Sequence, residues 1–103
     1  MAVYIAVVLT EAVSEAPGRE PLFQETFVLL EADDETRAWE KAAVHGRGLE
    51  TSYANEAGER VTWRLVQVVD VNRVLDERLG DGSELYARHF TDFAAYQAFE
   101  PLL

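Results

Sequence analysis

The chain has 103 residues, room for one hydrophobic core and not for two, so a single domain over residues 1–103 is expected. Apolar residues make up 49% of it, which predicts a folded globule, and the absence of cysteine excludes a disulfide framework, thiol catalysis and thiolate metal sites. Nineteen acidic residues against nine basic ones give a net charge of −10, with a single lysine, Lys41, and eight scattered arginines. Nucleic acid is therefore not an expected partner, because its binding begins with a basic cluster that displaces counterions from phosphates. Anionic membrane surfaces are disfavoured for the same reason. The apolar run Ala2–Leu9 is far too short for a membrane span, and nothing basic precedes it as in a secretory signal. With cysteine absent, a cytoplasmic protein is the expectation.

In chain order, Val3–Leu9 is β-branched and apolar on both alternating faces, the pattern of a strand covered on both sides. Thr10–Pro21, with the turn signal Pro17-Gly18, reads as a loop. Leu22–Glu31 is the second strand, its mixed first half expected to project past its neighbours. Asp33 or Asp34 caps a helix, with Glu35 complementing the positive helix end. Ala38, Trp39, Ala42 and Ala43 give it an apolar stripe, and Gly46 and Gly48 place its end at His45. Asn55-Glu56-Ala57-Gly58 has the residues of a type I turn. Val61–Val71 is the third strand, alternating at first and then apolar on both faces. Asn72–Ser83 is a connection holding the turn Gly80-Asp81-Gly82. Glu84–Phe90 alternates as a fourth strand. Thr91 or Asp92 then caps a short helix whose apolar face is Phe93, Tyr96 and Phe99, stopped by Pro101.

The expected fold is α+β, a four-stranded, mainly antiparallel sheet with two helices in the order ββαββα. Four strands make a sheet about 19 Å wide, and a helix covers a strip about 10 Å across, so two helices shield one face. The other face needs the long loops, a displaced helix or a second copy of the chain, and a homodimer is the favoured expectation.

No familiar chemistry is spelled out. His45 and His89 lack metal-ligand spacing, so no metal site is assigned. Ser14, Ser52 and Ser83 sit in no nucleophile motif. Gly46-Arg47-Gly48 lies at the carbonyl end of a helix, which repels phosphate. The pairs Asp33-Asp34 and Asp76-Glu77, and Glu84 with Arg88, read as solvated surface charges. Trp39, Tyr53 and Trp63 suit the core of a small domain, yet Trp63 begins a strand beside a turn, where burial is incomplete and a ligand has access.

A short N-terminal strand, an apolar strand ending Leu29-Leu30-Glu31-Ala32, an alanine-rich helix, the spacing Tyr53-x-Asn55-x-x-Gly58-x-x-x-x-Trp63 followed by a Val-rich strand, and an Asp81-Gly82-x-Glu84 turn occur in that order. Over Tyr4 to about Phe90 the chain resembles a bacterial family, the domain of unknown function 4288. The resemblance implies a small bacterial α+β domain and brings no activity, cofactor or catalytic residue with it.

The expected function is a non-enzymatic protein-interaction module that self-associates. Its sharper form is an inhibitor or immunity-type protein facing a basic toxin, since opposite charge speeds encounter and selects partners. The alternative is a small enzyme or small-molecule binder with a pocket between helix and sheet. The residues assigned to ligand or partner binding are Tyr53, Asn55, Trp63, Glu84 and His89; no catalytic residue, metal or cofactor is assigned.

Overall fold

The apolar, β-branched start of the chain extends into one long strand, β1 (Ala2–Ser14), in a computed structural model that describes residues 1–76, 78–100 and 102. Glu77 and Pro101, half of an acidic pair and the expected helix stop, lie outside the described residues. β1 pairs on one side with β2 (Leu22–Ala32) and on the other with β4 (Arg60–Arg73), and β3 (Thr51–Ala54) pairs with β4. All pairings are antiparallel and the strand order is β2-β1-β4-β3. With α1 (Glu35–Gly48) and α2 (Phe93–Phe99), the chain has the expected α+β class and the order ββαββα. Among the described residues, no helix is long and apolar enough to cross a membrane.

The fourth strand is a different segment from the expected one. Glu84–Phe90 pairs with nothing, and Thr51–Ala54 forms the outer strand instead. The type I turn at Asn55 accounts for this. The Gly58 amide donates to the Asn55 carbonyl, Gly58 takes φ +76°, and the Asn55 side chain accepts from the amides of Ala57 and Glu59. The Asn55 amide also donates to the Glu59 carbonyl, so this turn closes a hairpin whose first arm is Thr51–Ala54. The loop after β1 is likewise shorter than expected, since Thr10–Ser14 continues the strand. The first half of β2 therefore does not project; Leu22 sits opposite Ala12.

Two irregularities explain why β4 is apolar on both faces. Its register against β1 shifts between Val7 and Val8 and again between Leu9 and Thr10, leaving Val69 and Val66 without partners. Each extra residue reverses the alternation once.

Asp34 caps α1, its carboxylate accepting from the Arg37 amide at 2.8 Å. The helix runs past the expected end at His45 to Gly48, with Leu49 as its cap. Its buried residues are Ala38, Ala42 and Gly46, a stripe of small side chains at four-residue spacing. Trp39 lies outside that stripe, donating its indole N–H to Glu35. The narrow stripe brings α1 close to the sheet, over Tyr4, Ala6, Val8, Leu30 and Val71. Gly46 is thus a packing residue rather than a helix end. A Cβ on it would meet Leu65 Cδ1 at 2.8 Å and Val8 Cγ1 at 3.2 Å, whereas a Cβ on Gly48 meets nothing within 4 Å. Gly48→Ala is expected to raise stability by up to about 1 kcal/mol through helix propensity. Gly46→Ala loses that gain to crowding and comes out roughly 1–3 kcal/mol below it in parallel urea titrations.

The molecule is long, 47 × 34 × 25 Å with a radius of gyration of 16.7 Å, against about 13 Å for a spherical chain of this size. At about 3.3 Å per residue β1 spans roughly 43 Å, while α1, at 1.5 Å per residue, spans about 21 Å. The helix therefore covers about half of the sheet's length on its own face. α2 buries none of its residues.

Candidate functional site

Beyond the end of α1 the helix-side face of the sheet is open. Cross-strand register aligns Leu22, Ala12, Trp63 and Thr51 in one row, with Ser14, Val61 and Tyr53 in the next. The Trp63 indole N–H donates to the Tyr53 hydroxyl at 3.4 Å. The loop after β1 forms the wall: Arg19 reaches Glu59 through two hydrogen bonds, Nε to Oε2 at 3.3 Å and Nη2 to Oε1 at 3.1 Å. The result is a groove of about 400 Å³ with an aromatic floor and a charged rim.

Three of the five expected binding residues, Tyr53, Asn55 and Trp63, meet here, because one hairpin carries them all. Asn55 is occupied in closing the turn. Glu84 and His89 lie elsewhere. The Glu84 amide donates to Asp76, closing the connection that follows β4. His89 lines a larger cleft of about 730 Å³, bounded by Glu25 and Phe27 of β2 and by Phe90, Tyr96 and Phe99 of the C-terminal segment. The five residues thus form no common pocket between helix and sheet. Periodicity carries no information about which face a distant segment crosses.

The cleft belongs to the opposite face, where one residue missed in the sequence ties the C-terminal segment to the sheet. Tyr86 stacks at a tilt on Phe27, with ring centroids 6.0 Å apart, and donates its hydroxyl to Asp70 Oδ2 at 2.7 Å. Phe27 and Asp70 are the two register partners of Val7, one on each side. Tyr86 therefore spans β1 directly above Val7, which is fully buried although α1 lies on the other side. The Asp70 carboxylate also accepts from Asn72 Nδ2 and from the Val71 amide, and the Arg88 guanidinium lies 5.8 Å from the Tyr86 ring centroid. Burial, then the hydrogen bond and negative charge of Asp70, push the Tyr86 phenol above its usual range; Arg88 opposes them. Further along, Phe90 stacks on Tyr96 at 4.8 Å. Among the described residues no group of three or more His, Asp or Glu is placed to hold a metal ion.

These features define a class: a small antiparallel sheet with a helix across half of one face, a chain segment pinned across the other, and apolar surface open on both. The chain belongs to the family described as Domain of unknown function (DUF4288), whose profile matches residues 3–87. The match spans the sheet from Val3 onward, α1 and Tyr86, and leaves α2 outside. No curated protein and no solved structure matches the chain.

Proposed function

We propose that this chain is a protein-interaction module that associates with a second copy of itself through the β2 side of the sheet. One observation carries the reading. β2 is an edge strand, yet Leu22, Phe23, Phe27 and Leu29 on it are 63%, 54%, 59% and 43% exposed. Edge strands that stay solitary are ordinarily blunted by charge, proline or cover, and contiguous apolar patches mark contact surfaces. Phe90 and Phe99 extend the patch from the C-terminal segment.

Light scattering between about 1 and 100 μM is expected to give twice the 11.6 kDa chain mass, and Phe27→Glu to give the chain mass alone. Mass at the chain value throughout would refute the reading. The net charge of −10 supports a rival, a basic protein partner, and salt separates the two. Two like-charged copies bind more tightly as salt screens their repulsion, whereas an acidic–basic pair weakens as ionic strength rises from about 0.1 to 1 M.

A further inference from the structure

If two copies meet at β2, the backbone of that strand fixes how they meet, and this geometry rests on the self-association proposed above. In β1 the Val3 carbonyl accepts from Val74, on the β4 side, so the odd-numbered backbone groups at that end of β1 point toward β4 and the even-numbered ones toward β2. Across the β1–β2 ladder even residues face even residues, as in Tyr4 opposite Leu30. The odd residues of β2 therefore direct their N–H and C=O groups outward. Lys41 agrees with this from outside, its Nζ donating to the Glu31 carbonyl. That leaves Phe23, Glu25, Phe27 and Leu29 with outward backbone groups, and among the described residues nothing else bonds to them.

We infer that two copies join β2 to β2 in antiparallel fashion, with the two-fold axis passing through Thr26, to form one continuous eight-stranded sheet. Three alternatives with long overlap are disfavoured. An axis at Glu25 sets that carboxylate against its own copy, and an axis at Val28 sets Glu25 against Glu31 twice; like charges directly opposite destabilise a ladder. An axis at Phe27 pairs Phe23 with Glu31, whose carbonyl Lys41 already holds. The Thr26 axis avoids every one of these conflicts. It pairs Phe23 with Leu29 and Leu22 with Leu30, sets Glu25 beside Phe27, and uses the outward groups of residues 23, 25, 27 and 29 while the Lys41 contact stays intact. The exposed parts of Leu22 on one face and of Phe23, Phe27, Leu29, Phe90 and Phe99 on the other offer at most roughly 600 Å² per copy, and edge pairing covers the portion bordering the seam, which places the contact among small, concentration-dependent interfaces.

The absence of cysteine makes the test direct. Across the axis the two Thr26 residues form a non-hydrogen-bonded pair with Cα atoms about 4.5 Å apart, within disulfide reach. Thr26→Cys is expected to oxidise to a covalent dimer roughly tenfold or more faster than Val28→Cys or Gln24→Cys alone, whose copies stand about four residues out of register. An equimolar mixture of Gln24→Cys and Val28→Cys is expected to cross-link as a mixed dimer, since residues 24 and 28 face one another. Reduction should return each variant to the light-scattering mass of the parent, which excludes misfolding as the cause. A dimer in which Thr26→Cys stays reduced, or in which Phe27→Cys or Val28→Cys cross-links faster, overturns this arrangement and leaves self-association standing. A monomeric parent overturns both.

Discussion

Replacing Tyr86 with alanine is expected to release residues 78–100 from the sheet while β1, β2, β4 and α1 stay folded. Among the described residues the Tyr86 hydroxyl makes the one hydrogen bond from this segment to the sheet, and its ring makes the one aromatic contact, with Phe27. α2 offers no second anchor, because none of its residues is buried. Removing this half-buried aromatic ring costs about 2 kcal/mol, and Val7 becomes wet. Amide exchange should accelerate throughout residues 78–100 and far less in β1 and α1. Tyr86→Phe separates the two contributions. It keeps the ring and removes a hydrogen bond to a carboxylate, a loss of about 1.5–3 kcal/mol. The raised phenol pKa adds a pH signature with a definite sign. The folded state holds the Tyr86 proton more tightly than the unfolded chain, so this contribution is fully present below the unfolded value of about 10 and is lost as pH rises through the folded value. Wild-type chain should therefore shed the segment in strong alkali, and Tyr86→Phe should lack that step. Equal alkaline behaviour in the two would show that the phenol does not pin the segment.

The parts of the fold legible in the sequence are those determined by neighbours. Asp34 caps α1 because its side chain reaches an amide three residues away, and Asn55-Glu56-Ala57-Gly58 closes because one side chain and one positive φ suffice. The two-sided apolar character of β1 is equally readable, and its cause is on view: Val7 and Val8 point to opposite faces and both are 0% exposed. Glu84–Phe90 misleads because alternation is equally compatible with a chain lying along a sheet edge and with one crossing a face, where Tyr86 is used once and the backbone stays in solvent. Thr51–Ala54 escapes notice because four residues are too few to show a period, although Thr51 and Tyr53 favour strands and a turn follows. Gly46 resembles a helix stop, and only the position of Leu65 makes it a contact. The candidate site divides along the same line. Tyr53, Asn55 and Trp63 come together because a single hairpin holds them. Grouping Glu84 and His89 with them supposes a strand pairing that the chain does not make.

Val7 and Val8 put the double cover of the sheet to its sharpest test. Adjacent in β1 and equally dry, they are sealed by different means: Val8 lies under α1 with Ala38 and Ala42, and Val7 lies beneath Tyr86 between Phe27 and Asp70. Each mutation to alanine is expected to cost roughly 2–3 kcal/mol when measured at one fixed chain concentration. Their responses to the loss of Tyr86 should differ. In a Tyr86→Ala background Val7 is already in contact with water, so Val7→Ala should cost about 1 kcal/mol, a coupling of roughly 1–2 kcal/mol between the two sites. Val8→Ala should cost as much as before, because α1 is undisturbed and well-separated sites add within about 0.5 kcal/mol. Additivity at Val7 would mean that something other than Tyr86 keeps water from that face, and would overturn the role assigned to Tyr86 there.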